Sequence, residues 1–144
     1  MKINREFTSD NQSPYQNIKF KKVSTEIRNP DGSIVFELQD FEVPEQWSQV
    51  ASDILSQKYF RKAGVPNKIK RTEERNIPSW LSPRAADEES SDLNYSSEKN
   101  SQQVFDRLAG AWTYWGWKGG YFSSEEDAKA FFDEVRYMLA NQMI

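Results

Sequence analysis

A chain of 144 residues can build one modest core, but its apolar share of 37% is low against the ~45–50% of a fully packed globule, so part of its surface lies against something else or part of it is unfolded. Cysteine and histidine are both absent, which excludes a disulfide framework, a thiol nucleophile, a Cys/His zinc site and a Ser-His-Asp triad. The net charge of −3 gives no general reason to bind nucleic acid or an anionic membrane, and the short apolar runs exclude a spanning helix or a secretory signal, so a soluble, cytoplasmic chain is expected.

Residues 1–14 are polar and aperiodic and read as a flexible arm. From Ile18 the apolar residues Ile18, Phe20 and Val23 interleave with lysines, and Ile34, Phe36 and Leu38 repeat the pattern after Asn29-Pro30-Asp31-Gly32. Pro presets one turn dihedral and Gly accepts the other, so a β-hairpin is expected, and a lone hairpin must lie on something else. Val43-Pro44-Glu45 then opens a helix with Trp47, Val50, Ala51, Ile54 and Leu55 as its apolar stripe and Ser52 and Ser56 facing water; Gly64 and Pro66 stop it. Hairpin and helix together make a unit over 15–66.

Residues 67–102 have the composition of a charged, largely flexible linker, with a basic cluster at Lys68, Lys70, Arg71 and Arg75 and an acidic run from Asp87 to Asp92. The blocks could fold back on one another, although exposed pairs contribute little. Within it, Ile77–Leu81 carries Trp80, which is expected to dock into a groove on this chain or on a partner.

An aromatic-rich helical hairpin is expected over 103–144. Val104, Phe105, Leu108, Ala109 and Trp112 form the stripe of a second helix, with Trp115 extending it, and the glycines at 116, 119 and 120 should end that helix. Ser123 with Glu126 reads as a capping box for a third helix running to about Met143, with Phe131, Val135, Met138 and Leu139 on one side and no terminating Gly or Pro. Between these helices Trp112, Tyr114, Trp115, Trp117, Tyr121 and Phe122 crowd around Lys118. Such a cluster can stack bases or sugars, but a helix junction also needs large side chains, and the core or subunit-interface reading is preferred. Lys118-Gly-Gly lacks P-loop spacing, Glu125, Glu126 and Asp127 fan round a helix start as a solvated set, and no metal motif is present.

Several segments resemble a known family: Glu26-Ile-Arg-Asn-Pro-Asp-Gly-Ser, Trp47-Ser-Gln-Val-Ala, Gln57-Lys-Tyr-Phe-Arg-Lys-Ala-Gly-Val-Pro, the string from Gln103 to Phe122, and Asp133 to Met143. They are similar to the N-terminal domain of the class II, vitamin B12-dependent ribonucleotide reductases, from about Ser13 to Met143 with a thinner stretch at Asp87–Asn100. The resemblance implies a part in making deoxyribonucleotides, by an enzyme in which adenosylcobalamin generates a cysteine thiyl radical inside a ten-stranded α/β barrel. With no cysteine, this chain can carry none of those radical or redox roles. The fold expected is therefore mainly α with an N-terminal β-hairpin and three principal helices, a docking domain of a larger α/β-barrel enzyme. The implied partner is a separate catalytic chain that binds adenosylcobalamin, with no catalytic, cofactor or metal residue here and no membrane or nucleic-acid partner. Candidate interface residues are Trp80, Trp112, Trp115, Trp117, Lys118, Tyr121, Met138 and Leu139. A freestanding regulatory or nucleic-acid-binding module is the alternative.

Overall fold

The computed structural model describes residues 1–144. Three helices and an N-terminal hairpin are present, and two further short ladders make the domain mixed α and β. Strands β1 (Phe20–Arg28) and β2 (Ile34–Pro44) pair antiparallel around the expected turn, where Gly32 has φ +87° and its N–H donates to the Asn29 carbonyl at 2.9 Å. Halfway along, the register passes from Val23 opposite Phe41 to Thr25 opposite Leu38, so Ser24 faces both Gln39 and Asp40. This is a β-bulge, with Asp40 at φ +53° as the extra residue. Its effect is to keep Phe36 and Leu38 on the same face as Phe41 and Val43, although their sequence parity differs.

Phe41 and Val43 are fully buried and form the core with Tyr15, Trp47, Leu55, Phe60, Val104, Phe105 and Ala140. The rings meet at offset or edge-on angles, as between Phe41 and Phe60 at 5.5 Å and between Trp47 and Phe105 at 5.7 Å. The Trp47 indole also donates to the Ala140 carbonyl at 2.8 Å, tying the start of the first helix to the end of the last.

The first helix departs from its expected form. Pro44 closes β2 opposite Phe20 instead of opening a helix, and α1 (Gln49–Ile54) starts behind the N-cap Ser48 before widening into a π turn over Leu55–Tyr59. Its buried side is Ser52, Leu55 and Ser56, while Val50 and Ile54 are 67% and 50% exposed. Each serine hydroxyl donates to a carbonyl of the same helix, Ser52 to Ser48 and Ser56 to Asp53. Small side chains with their polarity satisfied locally let the helix approach the core more closely than the larger apolar set would.

Residues 67–102 are not featureless. Strand β3 (Val65–Pro66) pairs with β6 (Tyr95–Ser96) and β4 (Ile69–Arg71) with β5 (Arg84–Ala86), and Ser79–Leu81 form a 3₁₀ turn. The charge blocks do fold back, through one exposed pair, Lys68–Asp92 at 3.5 Å.

Helix α2 (Ser101–Lys118) begins in a capping box of Asn100 and Gln103 and ends as expected at Gly119 and Gly120, but it runs straight through Gly116, contrary to the expectation that this glycine helps end it. Gly116 serves close packing: a Cβ there would stand 2.8 Å from the Phe122 ring. Helix α3 (Glu125–Ala140) is capped by Ser124, one residue later than expected, because the Ser123 hydroxyl accepts from the chain's amino terminus at 2.9 Å. It ends before Met143 despite lacking Gly or Pro. Gln142 takes φ +56°, and the amides of Gln142 and Met143 donate to the carbonyls of Leu139 and Met138, a Schellman termination with glutamine in the left-handed position.

Residues 1–14, expected to be a loose arm, lie along α3. The Glu134 carboxylate accepts from the amides of Glu6, Phe7 and Thr8 at 2.8–3.2 Å and from the Thr8 hydroxyl at 2.5 Å. Asp127 takes the Ile3 amide at 2.7 Å, Arg5 pairs with Asp133 at 2.7 Å, and Phe7 stacks on Tyr137 at 5.1 Å. These contacts come mostly from backbone N–H groups, so they leave no periodicity in the sequence.

Candidate functional site

The C-terminal half of α2 sends its aromatic side chains in different directions. Tyr114 donates to one Glu74 oxygen at 2.6 Å and Lys118 to the other at 2.8 Å, while the Trp117 indole donates to the Asn76 carbonyl at 2.7 Å. Hydrogen bonds from Lys118 and Tyr114 hold the Glu74 carboxyl below its usual range, and Glu74, followed by Tyr114, raises the Lys118 ammonium. Trp117 and Lys118 thus pin the 74–76 segment against α2, and the one cation within the aromatic string is already paired.

Trp80 docks on this chain. Its indole donates to Glu125 at 2.9 Å, its ring lies 5.9 Å from that of Phe132, and Leu81 beside it is buried. Lys129 pairs with Glu125 at 3.2 Å, and its hydrogen bond together with that from Trp80 lowers the carboxyl. Of the three acids at the start of α3, then, Glu125 and Asp127 are held by partners from other segments and Glu126 is exposed.

Trp115 and Tyr121 face outward, contrary to the expectation that Trp115 extends the apolar stripe of α2. They are 63% and 64% exposed, against half-buried Trp112, Tyr114 and Trp117. The Tyr121 ring folds back over the end of α2, where a Cβ on Gly119 would lie 3.3 Å from it and 3.2 Å from the Trp115 backbone carbonyl. Beneath them Phe122 sits over Gly116 and packs on Phe131 at 5.4 Å, so the turn that presents them has a packed underside. Met138 and Leu139 belong to the far end of α3, about 20 Å along the helix axis from Glu125. Leu139 packs against the core, and Met138 is half-buried. The eight candidate residues therefore form no single surface: Trp80, Trp117 and Lys118 make contacts within the chain, Trp112 is half-buried on α2, Trp115 and Tyr121 are exposed at the end of α2 and just after it, and Met138 and Leu139 lie at the far end of α3.

A cleft of about 770 Å³ opens between α2 and the 61–95 segment. Its α2 wall is Asp106, Arg107, Gly110, Ala111 and Tyr114, and its other wall includes Arg61, Arg71 and Arg84. Asp106 accepts from the Tyr15 hydroxyl at 2.8 Å and from Arg136 at 3.2 Å; burial first, and then the Asp106 charge, drive the Tyr15 hydroxyl far above its usual value. Arg107 grips both oxygens of buried Glu98 at 3.0 and 3.1 Å. Sequence reading missed this cleft because its charges come from three segments; the one signal available was the basic cluster around Arg71. No group of three acidic, histidine or cysteine side chains is placed to hold a metal ion, and no helix is long and apolar enough to cross a membrane.

Comparison with known proteins gives a consistent picture. The family model described as class II vitamin B12-dependent ribonucleotide reductase matches residues 21–142. Vitamin B12-dependent ribonucleotide reductases from Bradyrhizobium diazoefficiens and Agrobacterium fabrum are 58% and 57% identical over all of this chain, and the one from Streptomyces coelicolor is 27% identical over 99% of it. In each case the match covers 12% of the relative's own length, at its N-terminal end in the first two.

Proposed function

The chain belongs to the class II vitamin B12-dependent ribonucleotide reductase family, as its N-terminal domain, and from that membership we propose that it is a noncatalytic part that packs on the catalytic body of such an enzyme and so serves the conversion of ribonucleotides to deoxyribonucleotides. The observation that carries the docking role is the Trp115–Tyr121 patch. Two large aromatic side chains, each more than three-fifths exposed, sit on the last turns of α2 and just beyond it, where Phe122 packs on Gly116 and Phe131. Buried aromatic anchors of this kind dominate interface energetics, and a rigid mount lowers the ordering cost of binding. Whether the body follows on the same polypeptide, as in the relatives, or is a second chain, the docking surface is the same.

Adenosylcobalamin belongs to the proposed assembled enzyme. The residues here do not fit it: the chain has neither an imidazole nor a thiolate to offer cobalt, and the unpaired charged groups of the cleft between α2 and the 61–95 segment are guanidinium cations. No step of cobalamin chemistry is assigned to this chain. The nucleic-acid alternative is not favoured either, because Lys118, the cation it would use, is paired with Glu74.

The test is the affinity of the 144-residue chain for the Bradyrhizobium diazoefficiens reductase lacking its matching N-terminal region. Binding that Trp115→Ala weakens at least ~tenfold, about 1.4 kcal/mol, supports the docking role. Undiminished binding by that variant places the contact elsewhere and overturns it.

A further inference from the structure

One wall of the cleft holds an arrangement that the fold does not need. Positions two apart share a face of a strand, so Ile69 and Arg71 of β4 lie on the same face as Arg84 and Ala86 of β5, and all four line the cleft. The register sets Arg71 directly opposite Arg84. Like charges at facing positions destabilise a two-stranded ladder, and here no carboxylate offsets them. Arg71 gives one N–H to the Ser82 carbonyl at 3.2 Å, and Arg84 has no ion-pair partner at all. Partial burial and the charge of Arg84 both pull the Arg71 guanidinium below its usual value, which registers the same crowding.

The neutralisation of the chain's other arginines makes this selective. Of its eight arginines, Arg5, Arg28, Arg107 and Arg136 are ion-paired, whereas Arg61, Arg71, Arg75 and Arg84 are not. Three of those four line the cleft. The chain is acidic overall, and its Asp87–Asp92 run begins one residue beyond β5, yet that run reaches Lys68 and leaves the arginines free. On the facing wall Asp106 is committed to Tyr15 and Arg136, so the uncompensated charge in the cleft is positive. Gly110 and Ala111 leave room beside the Tyr114 ring, and a Cβ on Gly110 would meet only Phe132, at 3.9 Å.

We propose that this cleft binds a small phosphate-bearing molecule, its phosphoryl oxygens between Arg71 and Arg84 with Arg61 beside them, and its remaining part over Gly110 and Ala111 against Tyr114. Two guanidinium forks carry two positive charges, which a phosphoryl group matches with three terminal oxygens and up to two negative charges, whereas one carboxylate offers two oxygens and a single charge. The volume of about 770 Å³ falls in the range of small-molecule sites, ~300–1,000 Å³, and the cleft is walled on both sides, which suits a compact ligand better than a polymer. The site shares no residue with the Trp115–Tyr121 patch and stands whether or not that patch meets a partner.

The test uses the isotope-labelled 144-residue chain at low ionic strength, titrated with inorganic pyrophosphate and separately with phenyl phosphate, by amide chemical shifts. Saturable shifts at Arg61, Arg71, Arg84 and Gly110 are expected, with phenyl phosphate also moving Tyr114. Arg71→Gln and Arg84→Gln should each weaken pyrophosphate at least ~tenfold, and Lys58→Gln, outside the cleft, should not. Without ligand, Arg84→Gln should unfold at the same or a higher denaturant midpoint, since it relieves repulsion. The proposal is overturned if neither probe saturates, if both arginine variants bind as wild type does, or if Arg84→Gln lowers the midpoint strongly, which would make the pair structural. It is equally overturned if a short polyglutamate peptide binds with the same footprint and greater affinity, which would make the site one for acidic peptide.

Discussion

Glu134 offers the sharpest test of how the domain is tied together. It is 8% exposed on α3 and accepts from three successive amides, Glu6, Phe7 and Thr8, and from the Thr8 hydroxyl. Glu134→Gln removes the charge and turns an NH₂ toward donors. A hydrogen bond to a charged group contributes about 1.5–3 kcal/mol, and a stranded donor costs about 1–3 kcal/mol. The arm can avoid stranding its amides by detaching into water, which caps the loss at its docking energy, so about 2–4 kcal/mol is expected. Amide exchange reads this directly: Glu6, Phe7 and Thr8 should exchange ~30-fold faster or more, since each 1.4 kcal/mol is about a factor of ten. The pH dependence has a definite sign. Burial pushes the Glu134 carboxyl up, but the Thr8 hydroxyl and the arm's amides more than offset this and hold it below its ordinary value. A carboxyl lowered in the folded state contributes stability above its unfolded pKa, and that contribution is lost as pH falls through the lowered folded value. Arm protection should therefore vanish in acid in the wild type and be absent at neutral pH in the variant. Unchanged exchange at Glu6–Thr8 in Glu134→Gln, or an arm that detaches as pH rises, would show that Glu134 does not hold the arm.

Gly116→Ala should lower stability by about 1–2 kcal/mol in denaturant unfolding, because overpacking against Phe122 outweighs the ~1 kcal/mol that alanine gains in a helix; a stabilised variant would show that the ring does not lie over the glycine. Trp115→Ala should change the midpoint of the free chain by no more than about 0.5 kcal/mol, whereas Trp47→Ala, which empties the core and frees the Ala140 carbonyl, should cost about 3–5 kcal/mol. Residues 67–96 should exchange faster than α2 and α3, since their ladders are two and three residues long; uniform protection would show them to be part of the rigid core. The purified chain should show no ribonucleotide reduction with adenosylcobalamin and a dithiol, having no cysteine to carry a thiyl radical; measurable turnover would contradict this.

What the sequence revealed and concealed follows from the range of the interactions. The Asn29–Gly32 turn and the two long helices depend on neighbours a few residues apart, so their periodicity and caps were readable. The bulge at Asp40 was hidden because Ile34, Phe36 and Leu38 imply one parity and Phe41 and Val43 the other, and only pairing with β1 reconciles them. Serines on the buried side of α1 defeated a hydropathy stripe, since their polarity is cancelled by their own helix. Gly116 looked like a breaker because its reason, the Phe122 ring, comes from the next segment, and Gln142 does the work of a terminal glycine without being one. Glu134 did leave a trace, a carboxylate beside Val135 on an otherwise apolar face, but its partners are more than 120 residues away. The Arg71–Arg84 pair required a strand register that composition alone does not supply.

In the proposed assembly, this N-terminal domain packs on a catalytic body through the face at the end of α2. The most direct test of this packing is an amide-exchange footprint of the chain, alone and with the Bradyrhizobium diazoefficiens reductase lacking its own matching region. New protection is expected from Trp115 to Phe122, with little change at the hairpin turn Asn29–Ser33. Protection elsewhere with none at Trp115–Phe122, or no change anywhere at concentrations that saturate binding, would contradict it.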